Sequence, residues 1–296
     1  MAKKTIQANE IRELVLDAIG EIFCTAHPET RQLLENALAR EKDEIARDML
    51  ETILGNHEIA QRESLPLCQD TGLLVVFAEL GNGVLIEGGS LRDIIGSAAA
   101  EAWDKYYLRD SIAWDPLRRG TNQKGTTLPL ILHLEQIPGD ELILHFALKG
   151  GGSENCSFLK MMLPGAGMRG VEEFVIQSVV ESGGRPCPPV MVGVGIGGNF
   201  EECAILAKKA LMLPSEQKDE ELREMEERIL DEINKRGKGV MGFAGSTTAL
   251  KVCILAKPCH IASLPVAVNI DCHAHRVTSR RINVSRETSD DSGATR

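Results

Sequence analysis

Short apolar runs that stop at glycine clusters constrain this chain more than any other feature. LLVVFAEL, over residues 73–80, ends at Gly81-Asn82-Gly83, which is the length of a buried strand followed by a good turn signal. LPLILHLEQI and ELILHFAL flank the turn Pro138-Gly139-Asp140, and the second of them runs into Lys149-Gly150-Gly151-Gly152-Ser153. PPVMVGVGIGG reads as a strand entering a glycine-rich turn, and TTALKVCILAK and LPVAVNIDC are two more β-rich runs. A further glycine stretch is Pro164-Gly165-Ala166-Gly167. Glycine is required where the backbone takes a positive φ or must approach another group closely. Here the glycines cluster beside Cys and Asp residues, the pattern of one site assembled from several loops.

Helical spacing fills the remaining stretches. Apolar residues recur at three- and four-residue steps over residues 8–24 and 30–54, which predicts two long N-terminal helices. Residues 91–107 and 170–182 and the segment NFEECAILAKKAL read as helices, and LPSEQKDEELREMEERILDEINKRG as a charged helix with a solvated outer face. The expected fold class is therefore α+β, a mixed α/β chain with a helical N-terminal region. DPLRRGTNQKG reads as a loop, and the last dozen residues as a polar, frayed end.

The formal net charge of −10 and the 4% aromatic content argue against nucleic-acid binding, which draws on Lys and Arg to neutralise phosphates and on aromatic stacking. No apolar run approaches the roughly 20 residues of a membrane helix, and the N-terminal stretch lacks the apolar core of a secretory signal. The expectation is a cytoplasmic protein without membrane attachment.

Eight cysteines in such a chain should be thiols, either buried in the core or acting as ligands. Cys24, Cys203 and Cys253 lie inside apolar patterns and read as core. There is no C-x-x-C, which disfavours a zinc ribbon or a thioredoxin-like site. Cys68 in CQDTG, Cys187 in RPCPPV and Cys272 in NIDCHAHR sit in turns or at a strand end among polar groups. Three widely spaced loop cysteines suit an iron–sulfur cluster with one open iron, although Cys156 and Cys259 are also near turns. A rival motif is Gly193-Val194-Gly195-Ile196-Gly197-Gly198, which fits the dinucleotide fingerprint G-x-G-x-x-G between strand and helix. The segment where that fold needs a second strand is LPSEQKDEELREM, which is charged and helical.

Four motifs in order, CQDTG (68–72), KGGGSEN (149–155), CPPVMVGVGIGG (187–198) and HIASLPVAVNIDCHAHR (260–276), resemble the cluster-binding N-terminal part of class I fumarases. The related L-tartrate dehydratase α subunit is similar too, and the resemblance spans residues 11–281. It implies a hydro-lyase α-type domain over residues 1–285, with approximate lobes 1–165 and 166–285, and a polar tail at 286–296. It also implies a [4Fe–4S] cluster on Cys68, Cys187 and Cys272, with the open iron as a Lewis acid. Asp70 and His260 then take part in catalysis and proton transfer, while Gln69, Arg109 and the Gly151 backbone bind substrate. Cys156 follows GSEN where some members have lysine, and His273 and His275 match no known role.

KGGGSEN is closer to the fumarase form of this loop, which favours fumarate and L-malate over L-tartrate. Single-chain members carry a further C-terminal domain. The resemblance therefore implies a separate β subunit and an α2β2-type complex acting on a small dicarboxylate.

Overall fold

Strands and helices form where the apolar patterning changes period, across residues 4–113, 115–117, 130–213 and 219–283, the part that the computed structural model describes. Strand β1 (Lys4–Gln7) precedes helices α1 (Ala8–Ile22), α2 (Pro28–Arg40) and α3 (Glu44–Glu63). Next come β2 (Leu73–Gly81), β3 (Val84–Glu87), α4 (Leu91–Lys105), β4 (Ile131–Ile137) and β5 (Glu141–Lys149). A one-turn helix α5 (Gly151–Glu154), β6 (Phe158–Met162) and α6 (Gly167–Ser182) follow, then β7 (Val190–Gly198), α7 (Phe200–Met212) and α8 (Glu220–Arg236). Strands β8 (Ala249–Cys259), β9 (Leu264–Asp271) and β10 (Val277–Asn283) complete the described chain. The mixed α and β composition is as expected. The expected loop beyond residue 117 and the polar tail at 286–296 lie outside the described residues.

The single helix expected over residues 30–54 is in fact two. Asp43 has an extended backbone, and its side chain accepts the Ala46 N–H at 3.0 Å, capping α3. Just before it, the buried Glu41 carboxylate accepts from the N–H groups of Lys42, Asp43 and Ser246. Both helices present the same spacing to the core, which hides the break from periodicity. The KGGGS stretch, expected as a turn, contributes the short helix α5 instead.

Alternation along the strands sorts residues into layers. One sheet has the order β10-β5-β2-β4 and another β6-β9-β7-β8, while β1 and β3 form a separate parallel pair. In the first sheet Leu74, Val76, Leu144 and Phe146 pack against α1 and α4. Val75, Phe77 and Ala147, on the opposite face, meet Met212 and Ile205 of α7. In the second sheet Val190, Val192 and Val194 pack against α6 and α8.

Gly193 and Gly195 alternate with those valines and face α7. A Cβ on Gly193 would strike the Ala207 carbonyl and Leu211, and one on Gly195 the Cys203 carbonyl. Helix α7 therefore lies between the two sheets, drawn close to the second by a stripe without side chains. Burial of this kind stabilises by about 25 cal/mol for each Å² of apolar surface removed from water, and the glycines maximise contact with the helix backbone.

This packing accounts for the dinucleotide-like motif. Asn199 Oδ1 accepts from the N–H groups of Glu201 and Glu202 at 3.1 and 2.8 Å, the donors a pyrophosphate would need at that helix start. The Glu202 side chain also crowds Gly198 and pairs with Lys257 at 2.6 Å, putting a carboxylate where an anion would approach. Among the described residues, no helix is long and apolar enough to cross a membrane.

Candidate active site

The CQDTG turn is assembled from both directions of the chain. The Leu67 N–H donates to the Phe23 carbonyl at 2.8 Å, and Asn56 Nδ2 donates to the Leu67 carbonyl at 3.1 Å. Cys68 follows, half-buried, with its Sγ 3.5 Å from the side-chain oxygen of the exposed Gln69. Both oxygens of Asp70 are held by backbone donors: Oδ1 by Gly72 N at 2.9 Å and Oδ2 by Gly151 N at 2.7 Å. Its own carbonyl accepts from Arg276 Nη2 at 2.8 Å. Gly72 takes φ 81°, and a Cβ there would strike the Lys149 carbonyl, so only glycine lets the two loops approach this closely. Buried Thr71 accepts the Arg109 N–H at 3.0 Å, which ties exposed Arg109 to the same turn.

A buried ionic network backs these loops. Lys149 ends β5 at 4% exposure, with Nζ 2.6 Å from Ser153 Oγ and 3.3 Å from Asp271 Oδ1. The second oxygen of Asp271 lies 2.7 Å from His275 Nδ1. Burial works against the Asp271 carboxylate, yet Lys149, His275 and Arg276 outweigh it and hold its carboxyl well below the usual range. Glu154 follows the same pattern: burial opposes its charge, while Lys208, Lys149 and the Nδ2 of Asn269 at 2.9 Å favour it. Removing one member of such a set costs about 3–5 kcal/mol, because it strands the others in low dielectric.

Cys272 comes directly after Asp271. Burial, and then the Asp271 charge, push its thiol up to about 12, and the Cys68 sulfur adds to the effect. Cys187 has φ 55°, a left-handed backbone uncommon for a side chain other than glycine. The Met241 N–H donates to the Pro188 carbonyl at 2.8 Å and pins this loop. Burial raises the Cys187 thiol first, then Cys68 and Cys156. Cys68 thus acts on both Cys187 and Cys272, and Cys156 acts on Cys187, while the Arg276–Asp70 contact joins the turns of Cys68 and Cys272 directly.

None of the eight cysteines is joined in a disulfide, and Cys24, Cys203 and Cys253 are buried as expected for core residues. Cys156 is buried too, and Cys259 is exposed at the other end of the second sheet. Among the described residues, no three His, Cys, Asp or Glu side chains stand close enough together to grip a single metal ion. Thiols that bind different irons of one cluster stand further apart than ligands sharing one ion. The donor set of three unpaired sulfurs accordingly fits a cluster rather than zinc.

The Gly151 N–H is taken by Asp70 and its carbonyl by Asn155 N at 3.0 Å, so its loop acts on the site through the Asp70 carboxylate. His260 stands apart from the rest. It lies in the turn after β8, beside the start of β9, whereas Cys272 follows the end of β9. The eight residues of β9 put roughly 25 Å between these two ends at about 3.3 Å per residue.

Lys149, Ser153, Asp271, His275 and Arg276 were not picked out as framework from the sequence. A usable signal existed for two of them, since Lys149 and Asp271 are charged residues closing otherwise apolar strand runs, ELILHFALK and LPVAVNID. His57 and His273 were also missed as a pair. Their rings stack at 5.9 Å, and burial lowers both to about 4.

Residues 12–281 match the family model described as Fumarate hydratase (Fumerase). A Methanocaldococcus jannaschii protein, provisionally named as an L(+)-tartrate dehydratase subunit alpha, is 35% identical over 281 residues, covering 93% of this chain and 98% of that relative. The L(+)-tartrate dehydratase subunit alpha of Escherichia coli strain K12 is 28% identical, covering 93% of this chain and 91% of its own length. That of Escherichia coli strain UTI89 is also 28% identical, covering 95% and 94%. With the match spanning nearly the whole described structure, the chain belongs to the fumarate hydratase family of hydro-lyases.

Proposed function

We propose that this chain is the alpha subunit of a hydro-lyase that holds a [4Fe–4S] cluster through Cys68, Cys187 and Cys272. Its favoured reaction is the reversible hydration of fumarate to L-malate. The observation that carries this reading is the meeting of three unpaired loop thiols beside a carboxylate, Asp70, whose two oxygens are fixed by Gly72 and Gly151. When bound, the cluster would supply an open iron able to polarise a substrate oxygen as a Lewis acid.

The chain's own residues supply orientation and proton handling. Arg109 would clamp a substrate carboxylate with a two-pronged geometry that lysine lacks. Gln69, exposed beside Cys68, would hold a substrate oxygen. Asp70, fixed by two backbone donors, would carry a proton at the site, and His260 would be the second proton carrier that the resemblance implies. Separate apolar cores under the two sheets support a two-lobed domain, with the expected division near residue 165. The relatives' name, subunit alpha, supports a separate β subunit that completes the site in an α2β2-type complex, and eight cysteines outside any disulfide suit the cytoplasm.

A second reading, L-tartrate dehydration, is favoured by the names of those same relatives. The deciding experiment is anaerobic purification of the chain with its β subunit, measurement of iron and acid-labile sulfide, and assays on fumarate, L-malate and L-tartrate. About four irons and four sulfides with turnover of fumarate is the expected result. Turnover of L-tartrate alone would replace the substrate, and absence of iron after reconstitution would overturn the cluster.

A further inference from the structure

Cys187 takes φ 55° with an exposed side chain, and its loop is gripped by residues 239–248, the connection between α8 and β8. The Met241 N–H donates to the Pro188 carbonyl at 2.8 Å, and the Val190 N–H donates to the Thr248 carbonyl at 2.9 Å. On the other side of Cys187, Gly184 and Gly242 meet backbone to backbone. A Cβ on Gly242 would strike Gly184, and one on Gly184 would meet the Met241 carbonyl. With no side chain at that contact to give way, a shift of one loop passes to the other.

The 239–248 loop is fixed in turn by the N-terminal helices. Val240, Met241 and Ala244 pack with Leu34 of α2 and Leu50 of α3. Glu41, 6% exposed where α2 ends, ties the same loop across 205 residues of sequence. Its Oε2 accepts the Ser246 N–H at 2.8 Å and the Ser246 hydroxyl at 3.0 Å. Its Oε1 accepts the Lys42 and Asp43 N–H groups at 2.9 and 3.1 Å. A Cβ on Gly245 would strike both Glu41 and Ala46, so the loop lies tight against the carboxylate. Hydrogen bonds to an ionised acceptor are stronger than neutral ones. Capping of α3 is already done by Asp43, which leaves the hold on Ser246 as what Glu41 adds.

We propose that Glu41 is a positioning residue for Cys187, fixing the 239–248 loop that holds this thiol in place for the cluster. The proposal rests on the reading above that Cys187 is a cluster ligand. Contacts run from Glu41 to Ser246 and from Met241 to Pro188, next to Cys187, whereas Arg276 joins the turns of the other two cysteines.

Glu41→Gln keeps the side-chain shape but replaces one oxygen by an amide donor, which faces N–H donors instead of accepting from them. Asp43→Ala is the control, because it removes the α3 cap at the same junction and leaves Ser246 held. Both are purified anaerobically with the β subunit. In Glu41→Gln, release of iron to a chelator should quicken by about threefold or more, and the electron paramagnetic resonance spectrum of the reduced cluster should change. Asp43→Ala should match the wild type in both, with only its melting temperature lowered. A second readout uses the complex stripped of its cluster. Iodoacetamide labelling of Cys187, followed by peptide mass spectrometry, should also quicken by about threefold in Glu41→Gln and not in Asp43→Ala. Wild-type rates in Glu41→Gln, or equal increases in both variants, would overturn the proposal. Ser246→Ala removes only the hydroxyl donor and serves if Glu41→Gln does not fold. It should quicken labelling by a smaller factor, and an unchanged rate would overturn the proposal. A wild type without iron after reconstitution would mean that the cluster reading has failed, and the labelling rates alone would then decide the role of Glu41.

Discussion

Arg276 Nη2 donates to the backbone carbonyl of Asp70 at 2.8 Å, across 206 residues of sequence. Arg276 is 3% exposed and lies four residues after Cys272, so one contact joins the turns of the first and third cysteines. Arg276→Ala should leave the Asp70 carbonyl without this donor and cost about 1–3 kcal/mol. The expected outcome is a lower urea midpoint together with a larger fall in kcat than in stability alone, measured on the anaerobic complex. Wild-type kcat in that variant would show that the Asp70 turn holds its place without Arg276.

Cys187 and Cys203 should separate cleanly. Cys203 is fully buried beside Ala267 of β9 and Leu159 of β6, and its Sγ lies 3.4 Å from the Phe200 carbonyl, so a serine hydroxyl there finds an acceptor. Cys203→Ser is expected to keep iron and activity, whereas Cys187→Ser should lose both. Equal iron content in the two variants would rule out Cys187 as a ligand.

Arg109 is exposed, and its anchor to Thr71 is through the backbone N–H. Truncating the side chain leaves that anchor in place. Arg109→Ala should therefore raise KM and lower turnover with iron content unchanged, a loss of transition-state binding on the order of 2–4 kcal/mol for a charged clamp. Iron analysis alongside steady-state kinetics checks it, and loss of the cluster would move Arg109 from substrate binding to the framework.

Gly195 tests what the glycine run is for. A Cβ there meets the Cys203 carbonyl and crowds Ala207 N and Leu206, all on α7. Gly195→Ala should destabilise by about 1–3 kcal/mol, the usual cost of overpacking, and NAD(H) should not change the melting temperature of the wild type. A raised melting temperature with NAD(H) would revive a nucleotide site.

His57 sets part of the acid limit. Burial lowers its ring from 6.5 to about 4, with His273 and Arg31 adding to the effect. Between those values the unfolded chain binds a proton that the folded protein refuses. Stability is thus full above about pH 6.5 and falls as pH drops toward 4, by up to the order of 3 kcal/mol from this group. Urea midpoints of His57→Leu should fall less steeply over that window than those of the wild type, and identical slopes would refute the assignment.

Much of the architecture was legible in the residues because period-two and helical spacing are local properties of the backbone. The pattern VMVGVGIGG already contains both faces of β7, with valines for one helix layer and glycines for another. The cysteine sorting was legible for a similar reason: Cys24, Cys203 and Cys253 sit within apolar periodicity, and Cys68, Cys187 and Cys272 interrupt it. The break between α2 and α3 was not legible, since both helices share one spacing and only Asp43's capping geometry ends the run.

What tertiary structure alone decided is adjacency across long sequence separations. No local pattern brings Lys149 to Asp271 or Arg276 to Asp70, because those contacts depend on how β5, β9 and the CQDTG turn meet. Nor does the motif containing His260 and Cys272 reveal that its ends lie far apart. His260 and Cys272, with only eleven residues between them, read as neighbours on paper, but an extended strand carries them to opposite ends of a sheet, because each residue in it advances the chain by about 3.3 Å.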